Sequence, residues 1–158
     1  MHTPPSEHPE FAQYVAFKFI RFYYTQMNEN PLLLHNLYSD DSSFVHSGLD
    51  QPGQKMHSVI GQKDIHECIM QLNFKDCHAK IRQVKSQAIL GEEIVVQVTG
   101  EFSNNGKPMR PFLQTVILVK QPSGKYYVSN DIFCYLDDIF PAEDNEDVDE
   151  DVVTGNFS

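Results

Sequence analysis

The sequence has no apolar run that approaches the roughly 20 residues a membrane-spanning helix needs. Its first ten residues, MHTPPSEHPE, lack the basic and then apolar layout of a secretory signal peptide. Its three cysteines are an odd number without a CxxC pair, which is more typical of reduced thiols than of a disulfide framework. We therefore predict a protein that is not secreted and that has no membrane partner.

Metal ligands at a recognisable spacing are also missing. His66 and Cys68, with Cys77 and His78, are candidate zinc ligands, but their spacing matches no familiar zinc site. The sequence therefore predicts neither a metal ion nor another cofactor.

Positive charge is absent from the C-terminal part of the chain. All twelve lysines and arginines precede Asp137, whereas nine of the 22 acidic residues lie from Asp137 onward, which leaves thirteen acids against twelve bases elsewhere. A nearly neutral body has no basic excess to neutralise phosphates. We therefore expect no direct nucleic-acid binding by this chain.

The pattern of elements predicts one α+β domain over residues 9–141, between a flexible segment 1–8 and an acidic disordered linker 142–158. Three helices are expected, at 10–28, 31–38 and 60–74. The segment 39–46 reads as a turn and a short strand, and four strand-like runs follow at 79–90, 94–103, 109–121 and 125–136. Turn sequences separate these runs, which favours a curved antiparallel sheet with helices packed on one face.

The first predicted helix has more aromatic residues than one buried stripe requires. At 100° per residue its core side holds Ala16, Phe17, Ile20, Tyr23, Tyr24 and Met27. A second apolar side, flanked by Lys18, holds Phe11, Val15, Phe19 and Phe22. Either the preceding residues or another helix cover this second side, or it is an exposed groove for a ligand or a peptide.

The predicted sheet also has apolar residues on both faces. In the third long run, Phe112, Val116 and Leu118 face one way, whereas Leu113, Ile117 and Val119 face the other. Val95 lies on that second face in the neighbouring run. Because a sheet with helices on one side usually has a polar opposite face, we expect Val95, Leu113, Ile117 and Val119 to form a homodimer interface.

Several ordered segments together resemble a known family. They are YYTQMN, FVHSGLD, IGQKDIH, LNFKDCHAKI, VVQVTGEFSNNGKPMRPFLQT and YYVSNDIFCYLDDIF, and they span roughly residues 10–140. These segments resemble the nuclear transport factor 2-like domain, in the version found at the N-terminus of the Ras-GTPase-activating-protein SH3-domain-binding proteins. The resemblance implies a cone-shaped fold, a homodimer formed through the sheet, and a place in a cytoplasmic stress-granule scaffold. RNA binding is implied for C-terminal segments of full-length members that this chain does not contain.

The resemblance also implies a pocket for short Phe-Gly-containing peptides. The positions of the family pocket correspond to Val15, Phe19, Leu37, Lys125 and Tyr126. Together with Phe11 and Phe22 from the second helix side, these residues form the predicted peptide site. The family commonly has phenylalanine where Leu37 and Tyr126 stand, so this pocket loses one ring and gains one hydroxyl group.

Two alternative functions remain at the level of the sequence. The founding nuclear transport factor has two acids that receive lysines of the GTPase Ran, whereas Asn105 and Lys107 stand at those places here, a change that disfavours such a partner. The same fold includes enzymes such as ketosteroid isomerase, so a small-molecule enzyme is the second alternative.

Asp131, in the apolar run SNDIFCY, is the residue that decides between an enzyme and a binding domain. For catalysis, Tyr24, Tyr38 and His46 are the residues that would have to converge on it. The structural interpretation has its carboxylate accepting backbone N–H groups where the strand ends or bends, and we favour it. A large dry cavity with a titratable pair would indicate the enzyme, whereas a filled cone with an open groove beside the first helix would indicate the binding domain.

Overall fold

A computed structural model describes residues 3–141, so the acidic linker expected at 142–158 lies outside the described residues. The helices are α1 (Phe11–Glu29), α2 (Gln62–Leu72) and the short α3 (Leu136–Ile139). The strands are β1 (Tyr38–His46), β2 (Val59–Ile60), β3 (His78–Ala88), β4 (Ile94–Ser103), β5 (Arg110–Lys120) and β6 (Tyr126–Tyr135).

The six strands form one sheet in the order β2-β1-β6-β5-β4-β3. The four long strands predicted from the sequence, β3 to β6, pair with one another as an antiparallel meander. Strand β1 extends this meander at its β6 edge. It pairs in parallel with β6, the last strand of the described residues, so β6 lies in the interior of a mostly antiparallel sheet.

The helices lie on one face of this sheet and confirm the predicted α+β class. Helix α1 crosses β3 and β4, whereas α2 packs on β1. The segment expected to form a second α-helix is a 3₁₀ helix, Pro31–Leu37, which connects α1 to β1. Proline at its first position suits a helix start because its missing N–H would have no partner there.

A β-bulge in β6 brings Asp131 to the inner face of the sheet. Leu118 of β5 is opposite Val128, but the preceding residue Ile117 is opposite Asn130, so Ser129 has no counterpart in β5. Val128 and Asp131 are therefore both buried, although they are three positions apart. In an uninterrupted strand, residues at this spacing would face opposite sides.

Helix α1 differs from the expected division of its residues at two positions. Phe17, expected on the core side, is 54% exposed, whereas Phe19, expected on the second side, is only 9% exposed. Phe17 lies at the flank near β3, beyond the buried stripe that contains Ala16, Ile20 and Met27. The expectation that Phe17 belongs to the core is therefore wrong.

Candidate functional site

An open groove of about 670 Å³ runs beside α1. Helix α1 forms one wall, and the end of the 3₁₀ helix and the start of β6 form the others. The groove is lined by Tyr14, Val15, Lys18, Phe19, Phe22, Asn36, Leu37, Gln121, Lys125, Tyr126 and Tyr127. Neither the described N-terminal residues nor α2 contribute to this lining. The N-terminal residues lie instead beside Phe11, at the start of the second side of α1.

Apolar side chains form the floor of the groove, and two lysines stand at its rim. Phe19 forms the buried part of the floor, whereas Phe22 is 52% exposed and available to a ligand. Lys18 and Lys125 are exposed, and none of the described residues that line the groove is acidic. Such a surface suits an apolar or aromatic side chain of a ligand with an acidic group nearby.

The structure brings together six of the seven residues predicted for peptide binding. Val15, Phe19, Phe22, Leu37, Lys125 and Tyr126 all line the groove. Phe11 does not line it and instead faces a second cavity of about 550 Å³, which Glu7, Glu92 and Glu93 also line. Phe11 occurs one turn before Val15, where α1 begins beside the β3–β4 hairpin. Tyr126 lines both cavities.

The carboxylate of Asp131 lies inside the cone and accepts three hydrogen bonds. The hydroxyl groups of Tyr38 and Tyr23 donate to Oδ2 at 2.6 and 3.3 Å, and Gln114 Nε2 donates to Oδ1 at 2.9 Å. The hydroxyl group of Tyr24 donates in turn to Gln114 Oε1 at 2.5 Å. Asp131 is 1% exposed, so solvent and substrates do not reach this network in the observed structure.

This network corrects two expectations about Asp131. Its donors are side chains of α1, β1 and β5 and not backbone N–H groups, because the bulge points it away from the ladder. Tyr38 does converge on Asp131, and Tyr24 reaches it through Gln114. Burial raises the pKa of Asp131, and the three hydrogen bonds oppose this increase. Burial also holds the pKa values of Tyr23 and Tyr38 well above their usual range.

His46, the remaining candidate partner of Asp131, belongs to a different part of the interior. Its ring stacks on Phe133 with the centroids 4.0 Å apart, and its Nδ1 accepts a hydrogen bond from the Gly48 backbone N–H at 2.9 Å. Its Nε2 has no hydrogen-bond partner within residues 3–141. Burial lowers the pKa of His46 to about 3, so the imidazole is neutral at physiological pH.

The outer face of the sheet carries an apolar stripe. Val95, Leu113, Ile117 and Val119, the residues predicted for the dimer interface, are all partly exposed on this face. Ile117 is directly opposite Val95 on β4. Ile132 on β6 extends the stripe and is 53% exposed. Ile132 was not predicted as part of this face. Consecutive residues of a strand face opposite sides of the sheet, so an inward-facing Asp131 implies an outward-facing Ile132.

Two of the four candidate zinc ligands, Cys77 and His78, have other polar contacts. The Cys77 Sγ lies 3.3 Å from Asn104 Oδ1, and His78 Nε2 lies 3.3 Å from Asp76 Oδ1. Across the described part of the chain, no three His, Cys, Asp or Glu side chains are grouped as metal ligands would be. No helix of residues 3–141 is long and apolar enough to cross a membrane.

Asn105 and Lys107 lie in the exposed turn between β4 and β5. Asn105 has a left-handed backbone with φ of 58°, and its N–H donates to the carbonyl of Lys75 at 2.8 Å. This turn is at the opposite end of β5 from Gln121, which lines the groove. The turn therefore presents an amide and a cation to solvent, without the two acids of the transport factor.

Comparisons with known proteins agree with this architecture. A G3BP-like protein of Schizosaccharomyces pombe is 39% identical over 137 residues, which cover 86% of this chain but 31% of that protein. The chain thus spans about a third of the length of this relative. The model for the nuclear transport factor 2 (NTF2) domain matches residues 15–135.

Two solved structures show the same fold. One is described as the yeast deubiquitinase Ubp3 and Bre5 cofactor complex, with a TM-score of 0.67, 24% identity, and coverage of 78% of this chain and 96% of that chain. The other is nuclear transport factor 2 from Cryptosporidium parvum, with a TM-score of 0.70, 24% identity, and coverage of 81% and 96%. At these identities the two structures support the fold alone. The sequence match over residues 15–135 goes further: the chain belongs to the nuclear transport factor 2 (NTF2) domain family.

Proposed function

We propose that this chain is a homodimeric docking domain that holds short Phe-Gly-containing segments of other proteins in the groove beside α1. The observation that carries the proposal is the groove itself, which combines a half-exposed Phe22 with two lysines. Burying a phenylalanine ring contributes about 1.5–3 kcal/mol to binding, enough to dominate a weak peptide contact. A glycine beside it lets the peptide backbone approach the helix closely.

The buried state of Asp131 supports a docking function over catalysis. An enzyme needs its acid and its donors to be reachable by a substrate, whereas Asp131 and its tyrosine donors are buried. The network instead ties α1, β1 and β5 to β6. Ran transport is the less favoured alternative because Asn105 and Lys107 replace the two acids of that interface.

The apolar stripe on the outer sheet face supports a homodimer. Val95 and Ile117 are adjacent across β4 and β5, and Ile132 continues the stripe on β6. A stable two-fold interface buries on the order of 1,200–2,000 Å² in total. Pairing through this face leaves the groove accessible, since the groove lies with α1 on the other side of the sheet.

The wider role that we propose is that of an interaction domain in a cytoplasmic ribonucleoprotein scaffold of stress granules. The 39% identity to a G3BP-like protein supports this setting. The complex of Bre5 with Ubp3 supports a protein as a partner of such a fold. RNA contacts of the scaffold are assigned to other segments of the full-length protein.

Titration calorimetry tests the groove. A short peptide that contains Phe-Gly should bind with a stoichiometry of one peptide per chain. The same peptide with Ala in place of Phe should not bind. If both peptides bind equally, the ring does not anchor the contact and the proposal fails.

Light scattering tests the dimer. The wild-type chain should show twice the mass of one chain at micromolar concentration, and Ile117→Glu should show the monomer mass. Gln71→Glu, which adds the same charge at an exposed position of α2 on the helix-covered side of the sheet, is the matched control and should remain dimeric. A monomeric wild type would refute the interface.

A further inference from the structure

The described N-terminal residues, Thr3–Pro9, fold back along the start of α1. The His8 N–H donates to the carbonyl of Pro5 at 2.9 Å, and the Phe11 N–H donates to the carbonyl of His8 at 2.9 Å. The Glu10 N–H donates to His8 Nδ1 at 3.1 Å. We call this segment the N-terminal arm. Two consecutive turns thus direct the arm back along α1 toward Tyr14.

The arm ends in a contact with the wall of the groove. Thr3 Oγ1 lies 2.8 Å from the hydroxyl oxygen of Tyr14. Lys18 Nζ donates to that same hydroxyl oxygen at 3.4 Å and stands 5.4 Å from the centre of the Tyr14 ring. Tyr14 and Lys18 both line the groove. A chain of two contacts therefore connects the Thr3 hydroxyl group to one of the two groove cations.

The sequence around Thr3 makes its hydroxyl group a candidate for covalent modification. Thr3-Pro4 is the one dipeptide in the 158 residues in which serine or threonine precedes proline. Thr3 is exposed, and a following proline biases a residue toward the extended backbone. An exposed hydroxyl group in an extended segment before proline is the substrate form of proline-directed protein kinases.

We propose that Thr3 is a phosphorylation site whose phosphate engages Lys18 and thereby sets the charge of the groove. In the step itself, Thr3 Oγ1 attacks the γ-phosphorus of a nucleoside triphosphate while the bond from that phosphorus to the bridging oxygen breaks. The hydroxyl proton passes to a base of the kinase, and a nucleoside diphosphate leaves. The consequence for peptide binding rests on the function proposed above.

Charge explains the expected effect. A phosphothreonine carries about −1.5 to −2 charges at neutral pH, and within residues 3–141 Lys18 has no carboxylate partner that would compete for it. A phosphate on Thr3 would pair with Lys18 and would leave Lys125 as the single free cation among the described residues of the rim. A peptide with an acidic residue beside its phenylalanine would then bind more weakly, whereas a neutral peptide would keep its affinity.

The test compares the full chain before and after treatment with a proline-directed kinase and ATP, with Thr3→Val as the unmodified control. Calorimetry with two Phe-Gly peptides, one neutral and one with an aspartate, gives the readout. Phosphorylation should weaken the acidic peptide about threefold to fivefold at low salt, the range of an exposed ion pair. The neutral peptide should change by less than its error. In Lys18→Gln, phosphorylation should lose this selective effect.

Equal weakening of both peptides, persistence of the effect in Lys18→Gln, or failure of the kinase to modify Thr3 would each overturn the proposal. Phosphorus NMR of the modified chain without peptide gives an independent reading, since Lys18→Gln should raise the second pKa of the phosphate. If that shift occurs but neither peptide binds the unmodified chain, then the groove function is wrong while the contact between phosphothreonine and Lys18 stands.

Discussion

Helix α1 contributes aromatic residues to two regions of opposite character. On one side Tyr23 and Tyr24 enter a closed interior around Asp131, where every polar group of the network has a partner. On the other side Phe19 and Phe22 face an open groove to which residues 3–141 contribute no acid. The interior contains an acid with hydroxyl donors, as an active site would, but it is closed to ligands. The groove is open to ligands but lacks such a group. A buried acid in this fold is therefore a weak argument for catalysis unless a route to it is also present.

The two regions should consequently respond to different measurements. Changes in the interior should appear in the free energy of unfolding and in its dependence on pH. Changes in the groove should appear in peptide affinity at constant stability. Variants at five positions examine this division, from the largest expected effect to the smallest.

His46 should produce the largest effect, on stability in acid. Its folded pKa is about 3 against an ordinary value of 6.5, so between these values the unfolded chain binds a proton that the folded chain does not. The free energy of unfolding should fall by about 1.4 kcal/mol per pH unit on acidification through this window, or about 3–5 kcal/mol in total. Denaturant unfolding at several pH values measures this slope.

His46→Asn keeps an acceptor for the Gly48 N–H and removes the titrating ring. Its unfolding curves should therefore depend less steeply on pH between 6.5 and 3. His57→Asn, at an exposed histidine, is the control and should keep the wild-type slope. The same slope in all three proteins would show that the folded chain accepts a proton at His46 without strain.

Asp131→Ala should come second. It leaves the donors of Tyr38, Tyr23 and Gln114 without their acceptor in the interior, which should cost about 1–3 kcal/mol of stability. Thermal melts measure the loss, and Asn130→Ala at the exposed neighbour is the control. An unchanged melting temperature for Asp131→Ala would contradict its structural role and would reopen the enzymatic interpretation.

The titration of Asp131 should change the stability with pH in the opposite direction to that of His46. Because burial raises its pKa, the folded chain keeps a proton at pH values where the unfolded chain has lost it. Its contribution to stability should therefore fall as the pH rises from about 3.8, the ordinary value, through the folded pKa. The variant Asp131→Asn should lack this component when its unfolding is compared with that of the wild type.

Phe22→Ala should be the clearest test of the groove. Removing an exposed ring from its lining should weaken a Phe-Gly peptide about tenfold or more, which corresponds to the partial loss of one buried aromatic contact. Phe17→Ala is an unusually close control, since it makes the same change at a similarly exposed position on the other flank of the same helix. Calorimetry should show wild-type affinity for Phe17→Ala.

Phe19→Ala should also abolish peptide binding. However, Phe19 belongs to the core, so its loss also costs stability. Binding in Phe19→Ala is therefore interpretable only in chains shown to be folded. Wild-type affinity in both Phe22→Ala and folded Phe19→Ala would place the peptide site elsewhere.

Lys125→Gln should have the smallest effect. An exposed ion pair with an acidic peptide residue contributes only about 0–1 kcal/mol and is screened by salt. Affinity should fall by at most about fivefold at low salt and should match that of the wild type at high salt. Lys107→Gln, in the exposed turn between β4 and β5, is the control. A loss greater than that of Phe22→Ala would mean that charge, and not the aromatic floor, determines the contact.

The sequence predicted those features that follow from local periodicity. Helix α1, the four long strands and the two faces of β5 appear where the alternation of apolar residues placed them. Helical periodicity also identified Phe19 and Phe22 as neighbours on one side of α1. It erred at Phe17 because the width of the buried stripe depends on what the helix packs against, and β3 leaves that flank open.

The missed features arise from contacts between distant residues. The bulge at Ser129 changes the phase of β6 without a glycine or proline to mark it, and so the partners of Asp131 could not be read from spacing. Phe11 shares the helical side of Val15 but extends past the wall that Leu37 and Tyr126 form. The bulge and the position of Phe11 both depend on how a second element lies beside the first, which local patterns do not encode.

The parallel pairing of β1 with β6 has a consequence for biosynthesis. Tyr38 and Asp131 are 93 positions apart, and at about 5–20 residues per second a ribosome needs about 5–20 s to translate that interval. During this time β1 has no β6 to pair with, and the aromatic faces of α1 have left the exit tunnel without the strand that completes both the core and the groove. A nascent chain at this stage is a natural client for chaperones, and a transcript truncated before β6 would yield a polypeptide with neither region.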